Sequence, residues 1–281
     1  MEILRIAAFS DGATGGNPAG VVIGDTLPEA GRMQAIAAEV GFSETAFAAP
    51  LQPGQQKAWR VRYFAPESEV PFCGHATIAL GAALAAKVGD GVFDLTLNAA
   101  AITVAGERKG EMFTAALQSP PTRSQPAGEP VIAGALALFG YDAADLDPRL
   151  PPAQVHGGAD HLFLALRSRE LLSAMHYDLS AGRAFMRKHG FVTVTLAFAE
   201  TPSLFHARNP FASGGVYEDP ATGAAAAAMA GYLRDCGWPH GGAIDIVQGE
   251  DMGMRSKLRA EIPPARGSSI RVSGTARWMT D

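Results

Sequence analysis

The sequence predicts an α+β protein of two similar domains, each a set of short strands around one buried helix. Three observations predict it. The chain has 281 residues, which suits one large domain or two of ordinary size. Short strand-like runs fill both halves. Each half also holds one alanine-rich helical stretch that is apolar nearly all round, CGHATIALGAALAAKVG from Cys73 and DPATGAAAAAMAGYLRDCG from Asp219. A helix of that kind is buried on every side, and small residues let curved strands come close to it. Laid over each other, the two stretches share a polar start, a small-residue first turn and an apolar body, which points to a repeat.

In chain order, residues 3–9 and 20–24 are predicted strands joined by the turn DGATGGNPAG. Met33, Ile36, Ala37 and Val40 stand at helical spacing over 29–40. Strands follow at 44–49 and 57–64, the second with clear alternation. The first alanine-rich helix is expected over Ala76–Lys87 with its stop at Gly89. Strands at 92–98, 101–106 and 111–117 complete the half. QSPPTRSQPAGEP, 118–130, is the best linker candidate. It divides the chain into an N-terminal domain 1–117 and a C-terminal domain 131–265, with 266–281 a terminal strand returning to the first domain. The second half reads as helix 131–140, strand 161–168, helix 179–190, strand 191–200 and a strand and loop at 204–212. Its alanine-rich helix opens after Asp219-Pro220 and stops at Gly237, and strands near 243–248, 255–261 and 269–273 close the chain.

Composition narrows the function classes. Hydrophobic residues are 47% and charged residues 18%, enough for a sizeable core and unlike a disordered chain. The formal net charge is -5 with no Lys/Arg run, which argues against nucleic acid as a partner. Two cysteines, Cys73 and Cys236, with no CxxC pattern give neither a disulfide framework nor a zinc motif. MEILRIAAFSDG does not read as a signal peptide, and the alanine-rich stretches are shorter than a membrane span. A cytoplasmic protein with no membrane partner is the expectation.

The starts of the two central helices are the candidate site. A helix's first turn leaves N–H groups without partners, which together with the macrodipole favour negative charge. Small residues there let a ligand approach the backbone. If the halves pack face to face, both starts point into one cleft and hold a carboxylate or an enolate. Glu44 in FSET is expected in a strand among Phe42, Ala46 and Phe47. Desolvation favours the protonated form of a carboxyl group, which suits proton transfer. The alternative is an ordinary strand or turn glutamate. Asp219 in YEDPATG is either a ligand group or a turn starter and helix N-cap. His75 is a ligand group or a core histidine satisfied by a carbonyl. Cys73 is a small buried residue or an activated thiol at a helix start. As a nucleophile and base the two are poorly placed, because neighbours in a helix start do not face each other, and no further metal ligands stand at suitable spacing. His206 and Arg208, shortly before the Asp219 motif, are candidates to line the same cleft.

GGNPAGVV (15–22), FSETAF (42–47), RYFAPESEVPFCGHAT (62–77), YEDPATG (217–223) and VQGEDMGMRSKL (247–258) resemble, in order and over essentially the whole chain, the PhzF-like phenazine-biosynthesis family of isomerases. The resemblance implies a diaminopimelate-epimerase-like fold: two domains, each a curved, mostly antiparallel sheet or barrel round a central helix. It implies that Glu44 removes a proton from one substrate carbon and returns it to another, and that His75 and Asp219 bind and polarise the substrate. Gly74 and Gly223 would supply backbone at the helix starts, with Asn17 and Cys73 near the same cleft. Ala224 stands where the best-studied branch has serine, so one hydrogen-bond donor to substrate is lost. No metal or organic cofactor is implied. The implied partners are a small-molecule carboxylate and a second copy of the chain in a homodimer. Two other readings stay open, an amino-acid or hydroxy-acid epimerase or racemase and a binding protein without turnover.

Overall fold

The computed structural model describes residues 2–279; residue 1 of the predicted segment 1–117 and residues 280 and 281 of the predicted segment 266–281 lie outside them. The chain divides into two units, the first running to Gln118 and resuming at Ser273, the second spanning Ser119–Val272. Among the described residues no helix is long and apolar enough to cross a membrane.

The first unit contains β1 (Leu4–Ala8), β2 (Asn17–Ile23), α1 (Ala30–Val40), β3 (Thr45–Pro50), β4 (Ala58–Phe64), β5 (Glu69–Val70), α2 (Gly74–Val88), β6 (Gly91–Thr96), β7 (Ala101–Lys109) and β8 (Met112–Gln118). β2 starts three residues earlier than the sequence predicts. Asn17 and Pro18 belong to the strand and face Ala8 and Ala7, so the turn is shorter. β1 and β2 are antiparallel, β2 and β3 parallel, β3 and β4 antiparallel, β4 and β6 parallel, and β6, β7 and β8 antiparallel in turn.

The second unit contains β9 (Arg123–Pro126), α3 (Glu129–Phe139), β10 (Ala153–His156), β11 (Asp160–Leu166), α4 (Arg169–Ser173), α5 (Leu179–His189), β12 (Thr193–Thr201), β13 (Leu204–Phe211), β14 (Val216–Asp219), α6 (Gly223–Asp235), β15 (Ala243–Gln248) and β16 (Ser256–Glu261). The order is β9, β10, β11, β12, β13, β15, β16, with β14 also on β13. From β10 onward the senses repeat those of the first unit: antiparallel, parallel, antiparallel, parallel, antiparallel. The presumed linker is therefore structured. Arg123–Pro126 pairs with β10, and α3 begins at Glu129. The last strand, β17 (Arg271–Trp278), pairs with β1 and β8, which joins β1, β2, β3, β4, β6, β7, β8 and β17 into a closed ring in the first unit.

Each central helix lies in the crossover between parallel strands, α2 between β4 and β6 and α6 between β13 and β15. His75 through Ala85 of α2 are all buried. Burying its Ile78, Leu80 and Leu84 contributes about 1.5–3 kcal/mol each. The small residues allow contact with the strands. A Cβ on Gly106 of β7 would lie 2.2 Å from the Gly81 carbonyl oxygen, and one on Gly157, just past β10, 2.6 Å from the Ala228 nitrogen. No side chain larger than hydrogen fits there.

One buried group makes the second unit acid-sensitive. His161 on β11 is fully buried, with Nδ1 2.8 Å from the Thr193 hydroxyl. Burial pushes its pKa down from 6.5 to about 4. Between those values the unfolded chain binds a proton that the folded chain refuses, so stability falls as pH drops from 6.5 towards 4 and levels off below. The full loss is about 3 kcal/mol. Urea melts at a series of pH values should show that slope in the wild type and a flatter one in His161→Gln.

Candidate active site

Glu44 does not lie in a strand. It is the last residue before β3, and its carbonyl oxygen accepts the Gly20 N–H of β2 at 3.1 Å. Gly20 is small for a reason. A Cβ there would lie 2.5 Å from the Thr45 hydroxyl, so β2 and β3 close up at the Glu44 position. The Glu44 side chain is thereby held at the strand mouth, 13% exposed, with Oε2 3.5 Å from Nε2 of His75. The Ser43 hydroxyl lies 3.3 Å from the same nitrogen.

His75 is the second residue of α2 and is buried. Among the described residues its ring partners are side chains, not a carbonyl. Cys73 Sγ lies 3.3 Å from Nδ1. That contact departs from the sequence expectation, and the reason is local. Cys73 is the N-cap residue with φ -143 and ψ 119, extended and not helical. The spacing rule for helix neighbours holds inside a helix; Cys73 stands outside it, and from the cap its sulfur reaches His75. The turn beneath is fixed by the Thr77 hydroxyl, which donates to the Cys73 carbonyl at 2.7 Å and lies 2.7 Å from the Tyr63 hydroxyl. Burial raises the Tyr63 pKa well above its usual 10, so Tyr63 stays a neutral member of that chain.

Donor atoms of Glu44, Cys73 and His75 all lie within 4.8 Å of one another. They could hold a cation only after rearrangement. The thiol sits nearest Nδ1, 4.0 Å from Nε2, while the carboxylate sits at Nε2. One ion cannot lie on the lone pairs of both ring nitrogens. A thiol at one ring nitrogen and a carboxylate at the other flank the imidazole with two groups able to exchange protons with it. If the thiol donates to Nδ1, the ring proton stands on Nε2 and faces Glu44.

The other predicted residues fall as follows. Asn17 is buried as the first residue of β2, and Gly74 opens α2. Asp219, Gly223 and Ala224 stand in the second unit around the start of α6. Asp219 is not the helix N-cap. It ends β14, Thr222 occupies the cap, and the Thr222 hydroxyl donates to Asp219 Oδ2 at 2.5 Å. Gln248, from the last motif of the sequence, donates to the Asp219 carbonyl at 2.7 Å and accepts the Thr222 N–H at 3.2 Å. Arg208 turns to Glu218, and His206 lies between Glu200 and Glu250, 2.5 and 3.4 Å away. Ser43 and Gln248 are additions that sequence reasoning missed, although both lie inside quoted motifs. Both cysteines are thiols.

A profile of the PhzC-PhzF family, phenazine biosynthesis-like proteins, matches residues 6–281. The chain belongs to this family. A trans-2,3-dihydro-3-hydroxyanthranilate isomerase of Pseudomonas aeruginosa is 32% identical over 96% of this chain and 94% of its own length. A Bacillus subtilis protein named uncharacterized isomerase YfhB is 30% identical over 98% of this chain and 95% of its own length. Among solved structures, a PhzF-family protein of Bacillus anthracis superposes with a TM-score of 0.84 at 21% identity, covering 100% of this chain and 98% of that one. A probable proline racemase of Agrobacterium radiobacter gives 0.65 at 11% identity over 99% and 90%, which shows a shared fold. As a PhzC-PhzF protein the chain is an isomerase with the epimerase-like α+β fold.

Proposed function

We propose that this isomerase moves a proton between two carbons of a small carboxylate-bearing substrate, with Glu44 as the group that takes and returns it. The observation that carries the reading is the 3.5 Å approach of the Glu44 carboxylate to His75 Nε2 at the start of a buried helix. In the first step a substrate C–H bond breaks, its proton passes to a Glu44 oxygen, and the electron pair moves into the substrate as an enolate-like system. In the second, that pair takes the proton back from Glu44 at another carbon. Charge builds up in between, and a ring N–H of His75 is placed to stabilise it. Backbone N–H groups near Gly74 add to this through the helix dipole. The family resemblance gives substrate binding to Asn17, Asp219, Gly223 and Ala224 as well. Trans-2,3-dihydro-3-hydroxyanthranilate, the substrate in the names of relatives near 32% identity, is the first compound to offer. Because Ala224 replaces a serine donor, cyclic carboxylates lacking that hydrogen-bond acceptor should be offered beside it.

A second reading is favoured by one observation, the Cys73 thiol 3.3 Å from His75 Nδ1. A racemase needs acids on both faces of one carbon, and Cys73 and Glu44 are two such groups. Incubation of each candidate acid in deuterated water separates the readings. The proposed reaction gives a constitutional isomer. A racemase returns the same compound with deuterium at the inverted carbon.

A further inference from the structure

Both central helices are reached by the same small construction. In the first unit Phe64 of β4 faces Glu69 of β5. Arg62, two residues before Phe64 and so on the same strand face, grips that glutamate with two bonds. Its Nε donates to Oε1 at 2.7 Å and its Nη2 to Oε2 at 2.6 Å. In the second unit Pro210 of β13 faces Glu218 of β14. Arg208, again two residues earlier, grips Glu218 with Nε to Oε1 at 3.0 Å and Nη2 to Oε2 at 2.5 Å. From each glutamate the chain runs Glu-x-Pro-x-x-Gly, EVPFCG at 69–74 and EDPATG at 218–223, and the glycine is the first residue of the central helix. The alanine match between the two halves is low in information. This match is not, because it repeats residue type, spacing, strand register and hydrogen-bond geometry together.

The residues that the fork holds in place are the ones proposed to handle substrate. A guanidinium fork fixes a carboxylate in plane and distance, and the proline fixes the next φ but one. Cys73 and His75 follow Glu69 by four and six residues, and Asp219 follows Glu218 directly. We propose that Arg62 and Arg208 are positioning residues of the isomerase, their forks on Glu69 and Glu218 setting the turns that present Cys73 and His75, and Asp219. This rests on the reading that Glu44 and His75 act on the substrate.

The first fork is the one to test. Arg62 and Glu69 side chains are 23% and 27% exposed, and pairs so exposed contribute little to folding. The double replacement Arg62→Met/Glu69→Leu removes the fork and leaves the net charge unaltered. The ring NMR signals of His75 at fixed pH, in the full-length protein and assigned with His75→Gln, are expected to move well beyond their line width. The other histidines should stay in place, as should the melting temperature. Turnover should fall about tenfold or more with KM little changed. Arg62→Lys, which keeps the charge without the fork, should fall between. Unmoved His75 signals overturn the proposal, and so do moved signals with unchanged turnover. Should the double variant melt early, Arg62→Lys decides by the same two readings. The NMR arm needs no substrate, so if the wild type converts none of the compounds offered, the reading of Glu44 has failed and the His75 signals still judge the fork.

Discussion

Replacing Glu44 with glutamine lowers turnover by about 10²- to 10⁴-fold, the usual worth of a general acid–base group, while the protein melts where the wild type does. The loss follows from chemistry. A glutamine amide has the shape of the carboxylate and can still bond to His75, but it cannot take a carbon-bound proton. The silent stability follows from the fold. What holds position 44 is backbone, the Glu44 carbonyl on the Gly20 N–H and the close approach of Gly20 to Thr45, and neither depends on the side chain. Steady-state kinetics beside a thermal melt checks both halves. Cys73→Ser should behave otherwise under the isomerase reading, with most of the turnover kept, since Cys73 comes closest to the Nδ1 side of His75, 3.3 Å away, and Glu44 faces Nε2.

The largest expected effect on stability lies in the second unit. Glu218→Leu should destabilise the protein by about 3–5 kcal/mol, because it leaves a buried guanidinium without its two-bond partner, with Asp251 Oδ2 4.0 Å from Nε as the remaining carboxylate. Arg208 and Glu218 side chains are only 8% and 3% exposed. Burial alone would lower the Arg208 pKa, but the Glu218 carboxylate outweighs it and holds the guanidinium above its ordinary value. The remaining donor, Nη1, reaches the Ser173 and Met175 carbonyls at 3.0 and 3.2 Å, tying β13 to the end of α4. The paired replacement Arg208→Met/Glu218→Leu should recover much of the loss, since an apolar pair of similar volume often replaces a buried ion pair at little cost. Denaturant midpoints of the single and double variants test this. A single variant as stable as the wild type would show that Arg208 finds another partner.

Much of this was legible in residue type. The two central helices announced themselves by alanine and glycine, because only small side chains permit contacts such as Gly81 against Gly106. Helix α2 stops at Gly89 as the glycine predicts. The strands that escaped notice lack alternation of their own. Arg123–Pro126 reads as loop from Pro, Ser and Gln, and is a strand because β10 pairs with it in register, Gln125 opposite Gln154. Asn17 and Pro18 read as turn for the same reason, and β1 makes them strand. At the site, Glu44, Cys73 and His75 are singled out by sequence, but their contact is not. Cys73 meets His75 because the N-cap is extended, a backbone fact that spacing alone does not give. Asp219 before Pro220 reads as a helix cap by local preference, yet Thr222 takes the cap and Asp219 takes its hydroxyl. The Arg–Glu forks carried a signal that went unread. Overlaying EVPFCG on EDPATG, instead of alanine on alanine, exposes it.

The most direct test of the account is the reaction of wild type and Glu44→Gln side by side in deuterated water, with the product's label located by NMR. Transfer through Glu44 predicts a rearranged product from the wild type whose receiving carbon carries the substrate's own hydrogen, with deuterium entering there, and nowhere else, only as far as the Glu44 proton exchanges before its return, and essentially no product from the variant. Product formed by Glu44→Gln at the wild-type rate with the same label would contradict it.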